Sequence, residues 1–285
     1  MRTRYVSTLS LDAPRLAKDL EHSAGFTYSE AYSNYLIGGP WKSAMLWSAS
    51  GDRGDGLLTN YTYGGQSAFT EYGEQLPYLQ ELITGAADLS RLTFVRLAVF
   101  SKSVIVPHRD FLELGDIPEG SRSAHRMHIP LATNEECFFS EDNTVYRMRS
   151  GEVWYFDAGQ IHSVASFSDE PRIHLIFDFA DRDGDGPLVT VDGPGSDAGI
   201  PVDRTVARPP LAAADRDALR ELASVLSMDT FNEVFSIVVK KHFRSDGGDD
   251  FVWDTMTALS RGCHDPAVQA HTQELRRYFT LERSE

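Results

Sequence analysis

The stretch "VPHRDF", residues 106–111, sets His108 and Asp110 two positions apart, directly after the apolar run Val104-Ile105-Val106. On a strand, side chains alternate with period two, so both would face the same side. A second histidine, His162, comes 52 residues after Asp110 (162 minus 110) in "DAGQIHSVASF", just past a turn. Two imidazoles and one carboxylate form the facial triad that suits Fe(II) and leaves positions open for an organic co-substrate and O2. The chain has nine histidines, so an H-x-D pair alone is weak evidence. Arg172 strengthens it, ten residues after His162 in "EPRIHLIFDFA". A buried dicarboxylate needs a guanidinium, whose planar fork matches a carboxylate through two bonds. The intervening "SFSDEP" reads as a hairpin turn, which would return Arg172 on the strand beside His162.

Two further arginines, Arg96 in "FVRLAVF" and Arg126 in "HRMHIPL", sit inside otherwise apolar strands. Facing solvent, they need no explanation. Facing the core, each needs an anion, and an amino-acid carboxylate would serve. Trp41, in "GPWKSAMLW", is either core or a wall of the substrate pocket. His22, His125, His174, His242, His264 and His271 are read as structural or surface groups. Two other classes stay open at this point. A cupin-like binding protein would have no need of His108, Asp110, His162 and Arg172 together. A zinc hydrolase would want a general base near the open position and gives Arg172 no role.

These residues must be held by strands. From position 91 the pattern has period two: "LTFVRLAVF", "SVIVPH", "AHRMHIPLA", "CFFS", "TVYRMRSGEVWYFD", "IHSVASF" and "RIHLIFDFA". Many short strands with turn residues between them predict an antiparallel sandwich or barrel, and "EDNT" and "RSGE" fit hairpin connections. Before them, "RYVSTLSL" predicts a first strand. "DAPRLAKDLEHSA" predicts a helix with Asp12 as N-cap, and "TEYGEQLPYLQELITGA" a second helix. After Ala180, "DRDGDGPLVTVDGPGSDAGIP" reads as a loop. Its Asp-Gly repeats lack the downstream glutamate of a calcium loop and are read as turns. From 209 the spacing is helical to the end of the chain. The division expected is 1–185 for the β domain with N-terminal helices, 186–208 for the linker and 209–285 for a helical subdomain.

The chain has 285 residues and a net charge of -15, which argues against nucleic acid and against an anionic membrane surface. The acidic balance reads as a solvated surface, or as a field that attracts a cationic substrate. No apolar stretch is long enough to span a membrane, and "MRTRYVSTLSLD" does not read as a secretory leader. Two distant cysteines, Cys137 and Cys263, fit a reduced, cytoplasmic setting.

The pattern H-x-D … H-x9-R among strands resembles the Fe(II)/2-oxoglutarate dioxygenases. The words "VIVPHRDFLEL", "RMHIPL" and "MRSGEVWYFDAGQIHSVASFSDEPRIHLIFDFA" are similar to bacterial proline hydroxylases of the cis-3 branch, allied to the aspartyl/asparaginyl β-hydroxylases. The resemblance implies a mainly β fold: a double-stranded β-helix (jelly roll, cupin-like) with N-terminal helices and a C-terminal helical bundle. It implies His108, Asp110 and His162 as iron ligands, and Arg172 on the distal carboxylate of 2-oxoglutarate. It places Arg126 and His128 near co-substrate and substrate, and Arg96 as a second substrate-facing arginine. It departs at Phe139, where a histidine is expected. The carboxylate kept at Asp110 favours hydroxylation over halogenation. The implied reaction couples oxidative decarboxylation of 2-oxoglutarate, giving succinate and CO2, to hydroxylation of an unactivated C–H bond. The helical tail and the acidic loops are expected as lids. The implied substrate is a free L-amino acid, proline or pipecolate first and lysine second, and a homodimer is compatible with the chain.

Overall fold

Both faces of the central strands are covered, which is why they read as nearly unbroken apolar runs. In β4 (Leu92–Phe100), Val95 and Leu97 face one side while Arg96, Ala98 and Phe100 face the other, and all five are buried. The structure, a computed structural model, describes residues 2–32, 41–61, 66–110, 123–180, 188–190 and 199–281. These form two antiparallel sheets. The large sheet has the order β1 (Arg4–Thr8), β9 (Glu152–Phe156), β6 (Ser123–Ala132), β11 (Arg172–Ala180), β4, β2 (Lys42–Ala49), β3 (Ser67–Phe69). The small sheet has the order β5 (Ser103–His108), β10 (His162–Ser166), β7 (Cys137–Glu141), β8 (Thr144–Tyr146). From β4 to β11 the chain steps between the two sheets, and this winding is that of a double-stranded β-helix.

Helices cover both outer faces. The helices α1 (Ala13–Ser23) and α2 (Pro77–Ala86) bury Leu16, Leu76, Leu79 and Ile83 against Leu97, Ile129, Leu175 and Phe177 of the large sheet. Asp12 caps α1 by accepting from the Arg15 amide at 3.1 Å. The N-cap of α2, Leu76, has no side-chain acceptor, and α1 supplies one: Asp19 accepts from the Leu79 amide at 2.9 Å. On the other side lie α3 (Ala213–Glu221), α4 (Phe231–Arg244), α5 (Phe251–Gly262) and α6 (Pro266–Arg276). Their Phe235, Val238, Val239 and Trp253 pack with Val104, Val106, Phe138 and Ala165 from the outer face of the small sheet. The helical tail therefore backs the small sheet. The lids expected in the acidic loops fall largely outside the described residues, as do the Asp-Gly repeats.

Several local expectations are corrected. "EDNT" does form the β7–β8 hairpin, with both Asp142 and Asn143 at positive φ as a tight two-residue turn requires. "RSGE" is not a hairpin: β8 and β9 lie in different sheets, and the segment carries the chain across. "SFSDEP" likewise joins β10 in the small sheet to β11 in the large one, so Arg172 reaches the site from the opposite layer rather than from the strand beside His162. The second helix starts at Pro77, after a short helical turn at Gly73–Gln75. Strand β2 went unpredicted. Where the linker is described, residues 199–208 are pinned rather than free: the Val206 amide donates to Val145 O at 2.8 Å, and Arg204 Nε donates to Glu152 Oε1 at 2.6 Å.

Candidate active site

The first two residues of the triad lie at the end of β5 and just past it. His108 is the last residue of β5 and lies opposite His162, the first residue of β10. Three residues of β5 span two of β10 here (Ile105↔Val164, then His108↔His162). This bulge turns His108 to the inner side that Ile105 already faces, although the two are an odd number apart. Asp110 lies past the strand end, and its amide donates to Ala158 O at 2.9 Å. The expected shared face is met, but by a bulge and a pinned loop rather than by strand alternation.

The Nε2 atoms of His108 and His162 lie 3.0 and 3.8 Å from Asp110 Oδ1, and one ligand atom from each residue lies within 4.8 Å of the others. Each histidine is fixed from behind. His108 Nδ1 is 2.7 Å from Val106 O, and His162 Nδ1 is 2.9 Å from Gln160 O. A carbonyl only accepts, so each Nδ1 carries a proton and each Nε2 is left to face the centre of the cluster. Burial, then neighbouring His108, pushes His162 down to about 3, so it stays neutral. Burial alone would raise the Asp110 carboxyl. Arg126, ion-paired to it, and the two histidines override this and hold it well below the usual range. Two imidazoles and one carboxylate facing each other fit a divalent iron.

The inner face of the large sheet holds the rest. On β11, Arg172, His174, Ile176 and Asp178 alternate onto it. Asp178 is fully buried and joins both strand arginines: Arg96 Nη2 donates to its Oδ2 and Arg126 Nε to its Oδ1, each at 2.7 Å. The anion that these arginines meet is thus inside the protein. The Trp41 ring lies 5.7 Å from the Arg96 guanidinium, so Trp41, Arg96 and Arg126 form one group near the triad.

Arg172 is different. It is 2 % exposed, and its guanidinium lies between the rings of Phe100 and Phe139, at 5.1 and 5.0 Å. Its Nε and Nη1 have no hydrogen-bond partner. Burial pulls it down to about 10, so it remains charged at neutral pH. Three guanidiniums (Arg96, Arg126, Arg172) against two carboxylates (Asp110, Asp178) leave one positive charge over, three minus two. That charge belongs to Arg172, with two donors unsatisfied. Orphaned buried donors are costly unless a ligand takes them, and the distal carboxylate of 2-oxoglutarate fits. His128 lies between the two ends of the site: its ring is 4.8 Å from Phe156, which in turn is 4.8 Å from His162. At Phe139 the missing histidine is replaced by a ring that stacks on His174 at 5.6 Å and faces Arg172. Two residues of this site went unsingled by sequence, Asp178 and His174.

The C-terminal helices hold the end of β5, with its candidate metal ligands, from outside. Trp253 Nε1 donates to Pro107 O at 3.2 Å, the Arg109 amide donates to Phe279 O at 3.0 Å, and the Phe279 ring meets His108 edge-on at 6.3 Å. Trp253→Phe keeps most of the packing and removes one hydrogen bond. It is expected to cost about 1 kcal/mol in urea unfolding and to weaken metal retention in competition with a chelator.

This fold and site are those of an Fe(II)/2-oxoglutarate-dependent dioxygenase. Family models match nearly the whole chain: "Aspartyl/Asparaginyl beta-hydroxylase" over residues 7–182 and "L-proline 3-hydroxylase, C-terminal" over residues 187–285. The chain is 30% identical over 292 residues to L-proline cis-3-hydroxylase 2 of a Streptomyces species, covering 100% of this chain and 97% of the relative. It is 28% identical over 281 residues to L-proline cis-4-hydroxylase of Rhizobium meliloti, covering 98% and 96%. The chain belongs to the family of Fe(II)/2-oxoglutarate-dependent proline hydroxylases allied to the aspartyl/asparaginyl β-hydroxylases. It is therefore an enzyme, and the binding-protein and zinc-hydrolase readings fall away. No helix among the described residues is long and apolar enough to cross a membrane.

Proposed function

We propose that the chain hydroxylates a free cyclic imino acid, proline or pipecolate, at ring carbon 3 or 4, in the making of a natural product. The observation that carries this reading is the two-ended site: a His–Asp–His cluster at one end and Arg172, a buried cation with unsatisfied donors, at the other. In this reading His108, Asp110 and His162 hold the iron, which supplies O2 activation when bound. Arg172 holds 2-oxoglutarate, and His128 orients that end of the site. Arg96, Arg126 and Trp41 shape the amino-acid end, where the arginines attract the substrate carboxylate and Asp178 keeps them in place. The aromatic walls Phe100, Phe139, Phe156 and Trp154 exclude water from the reacting centre. Asp110 and Asp178 are already engaged by arginines, which suits a substrate without a second ammonium and favours a ring imino acid over lysine.

Reconstitution with Fe(II), ascorbate and 2-oxoglutarate, over a panel of free amino and imino acids, tests the proposal. Succinate formed together with a singly oxygenated proline or pipecolate is the expected result. Turnover of lysine alone would overturn the ring-substrate reading and leave the co-substrate site intact.

A further inference from the structure

Beyond Arg172, the described interior between the sheets holds further buried nitrogens without partners, among them Arg96 Nε, His128 Nε2 and His174 Nε2. His174 is 0 % exposed and sits on the same face of β11 as Arg172, two residues along. Both lie against Phe139, the imidazole stacked at 27° and the guanidinium 5.0 Å from the ring centre. The two histidines touch through Nδ1 and Nδ1, 3.3 Å apart. Burial, followed by Arg172 and His128, keeps His174 neutral, and burial with the surrounding arginines keeps His128 neutral.

Two neutral imidazoles joined Nδ1 to Nδ1 cannot be in the same tautomer. One donates its Nδ1–H, so its Nε2 is bare. The other accepts at Nδ1, so its proton is at Nε2. One orphan Nε2 is therefore a donor in need of an acceptor. Arg172 Nε and Nη1 need acceptors as well. Three buried donors with no acceptor around one aromatic ring describe a receptor for an anion with several oxygens.

We propose that His174 is a co-substrate-binding residue: its Nε2–H donates to the carboxylate of 2-oxoglutarate that Arg172 grips, with His128 behind it setting the tautomer. This rests on the assignment of Arg172 to the distal carboxylate. His128 donates through Nδ1 and positions His174. The carboxylate then meets a charged fork on one side and a neutral donor on the other. A keto acid that ends in a methyl group offers nothing to either.

The test is anaerobic titration of the Fe(II) protein with 2-oxoglutarate and with 2-oxopentanoate, which lacks the distal carboxylate, read by the metal-to-ligand absorption band. His174→Phe is expected to weaken 2-oxoglutarate by about tenfold to a hundredfold, the loss of one hydrogen bond to a charged group, with 2-oxopentanoate unchanged. His174→Gln retains an N–H donor and is expected to recover part of the loss. Circular dichroism and thermal melts of both variants separate a folding defect from a binding defect. Unchanged 2-oxoglutarate binding in folded His174→Phe would overturn the proposal, and so would equal weakening of both keto acids, which marks a packing role. A wild-type protein that gives no band with 2-oxoglutarate would overturn the co-substrate assignment itself, and the proposal with it.

Discussion

Arg172→Met is expected to weaken 2-oxoglutarate binding about a hundredfold or more and at the same time to make the ligand-free protein more stable. The binding loss follows from two charge-assisted hydrogen bonds, each worth about 1.5–3 kcal/mol. The stability gain follows from the site as it stands. Arg172 is 2 % exposed, its Nε and Nη1 have no partner, and among the described residues no carboxylate faces it. The rings of Phe100 and Phe139 offset only part of the desolvation of such a charge. Replacing even a buried ion pair by well-packed apolar side chains is often neutral or stabilising by about 1–4 kcal/mol, and an ion without a partner has less attraction to lose. Arg172→Lys is not conservative here, since an ammonium lacks the fork. Urea unfolding without ligand should place the methionine variant above wild type. With Fe(II) and 2-oxoglutarate the gap should close, because ligand at a hundred times Kd stabilises the wild type by about 2.7 kcal/mol and the variant far less. A variant less stable than wild type without ligand would mean that Arg172 has a structural partner, and the co-substrate assignment would lose its physical basis.

Spacing made the triad and Arg172 legible because those residues sit at strand ends beside turn residues. The strands around them were legible as well, as a series of short apolar or alternating runs punctuated by turn residues. The bulge in β5 was not, and the shared face of His108 and Asp110 depends on it. Strand β2 escaped because "KSAMLWSA" is buried on both faces and shows no alternation between apolar and polar residues. The path of the chain between sheets escaped because a turn such as "SFSDEP" has the same composition whether it closes a hairpin or crosses from one sheet to the other. Asp178 escaped for a different reason. Its two arginines lie 82 and 52 residues away, on strands whose neighbours only the strand order defines. Yet "RIHLIFDFA" held a signal: counted in twos from Arg172, His174 and Asp178 fall on the same face. The sequence pattern says that these polar groups share a face, and only the fold says what they face.

Asp178→Asn is expected to cost about 3–5 kcal/mol of folding stability, the penalty for leaving buried charges without their partner. The aspartate is 0 % exposed, and its two oxygens accept from Arg96 and from Arg126. An asparagine keeps one acceptor and turns an N–H2 toward the other guanidinium, so one donor meets another donor. Arg126 then has Asp110 as its remaining carboxylate, which is also one of the three proposed metal ligands. A stronger hold of Arg126 on Asp110 competes with the metal for that carboxylate. The variant should therefore bind iron more weakly and show a raised KM for the amino acid, while the 2-oxoglutarate affinity of the iron-loaded fraction changes little, since Arg172 lies elsewhere on β11. Arg96→Met combined with Asp178→Asn should cost less than the sum of the two single changes, because the double variant removes a charge together with its partner. Denaturant unfolding of the four proteins in that cycle decides it. Additive losses would mean that Asp178 and Arg96 do not act as a pair, and a single variant within about 0.5 kcal/mol of wild type would mean that the buried network does not hold the arginines at all.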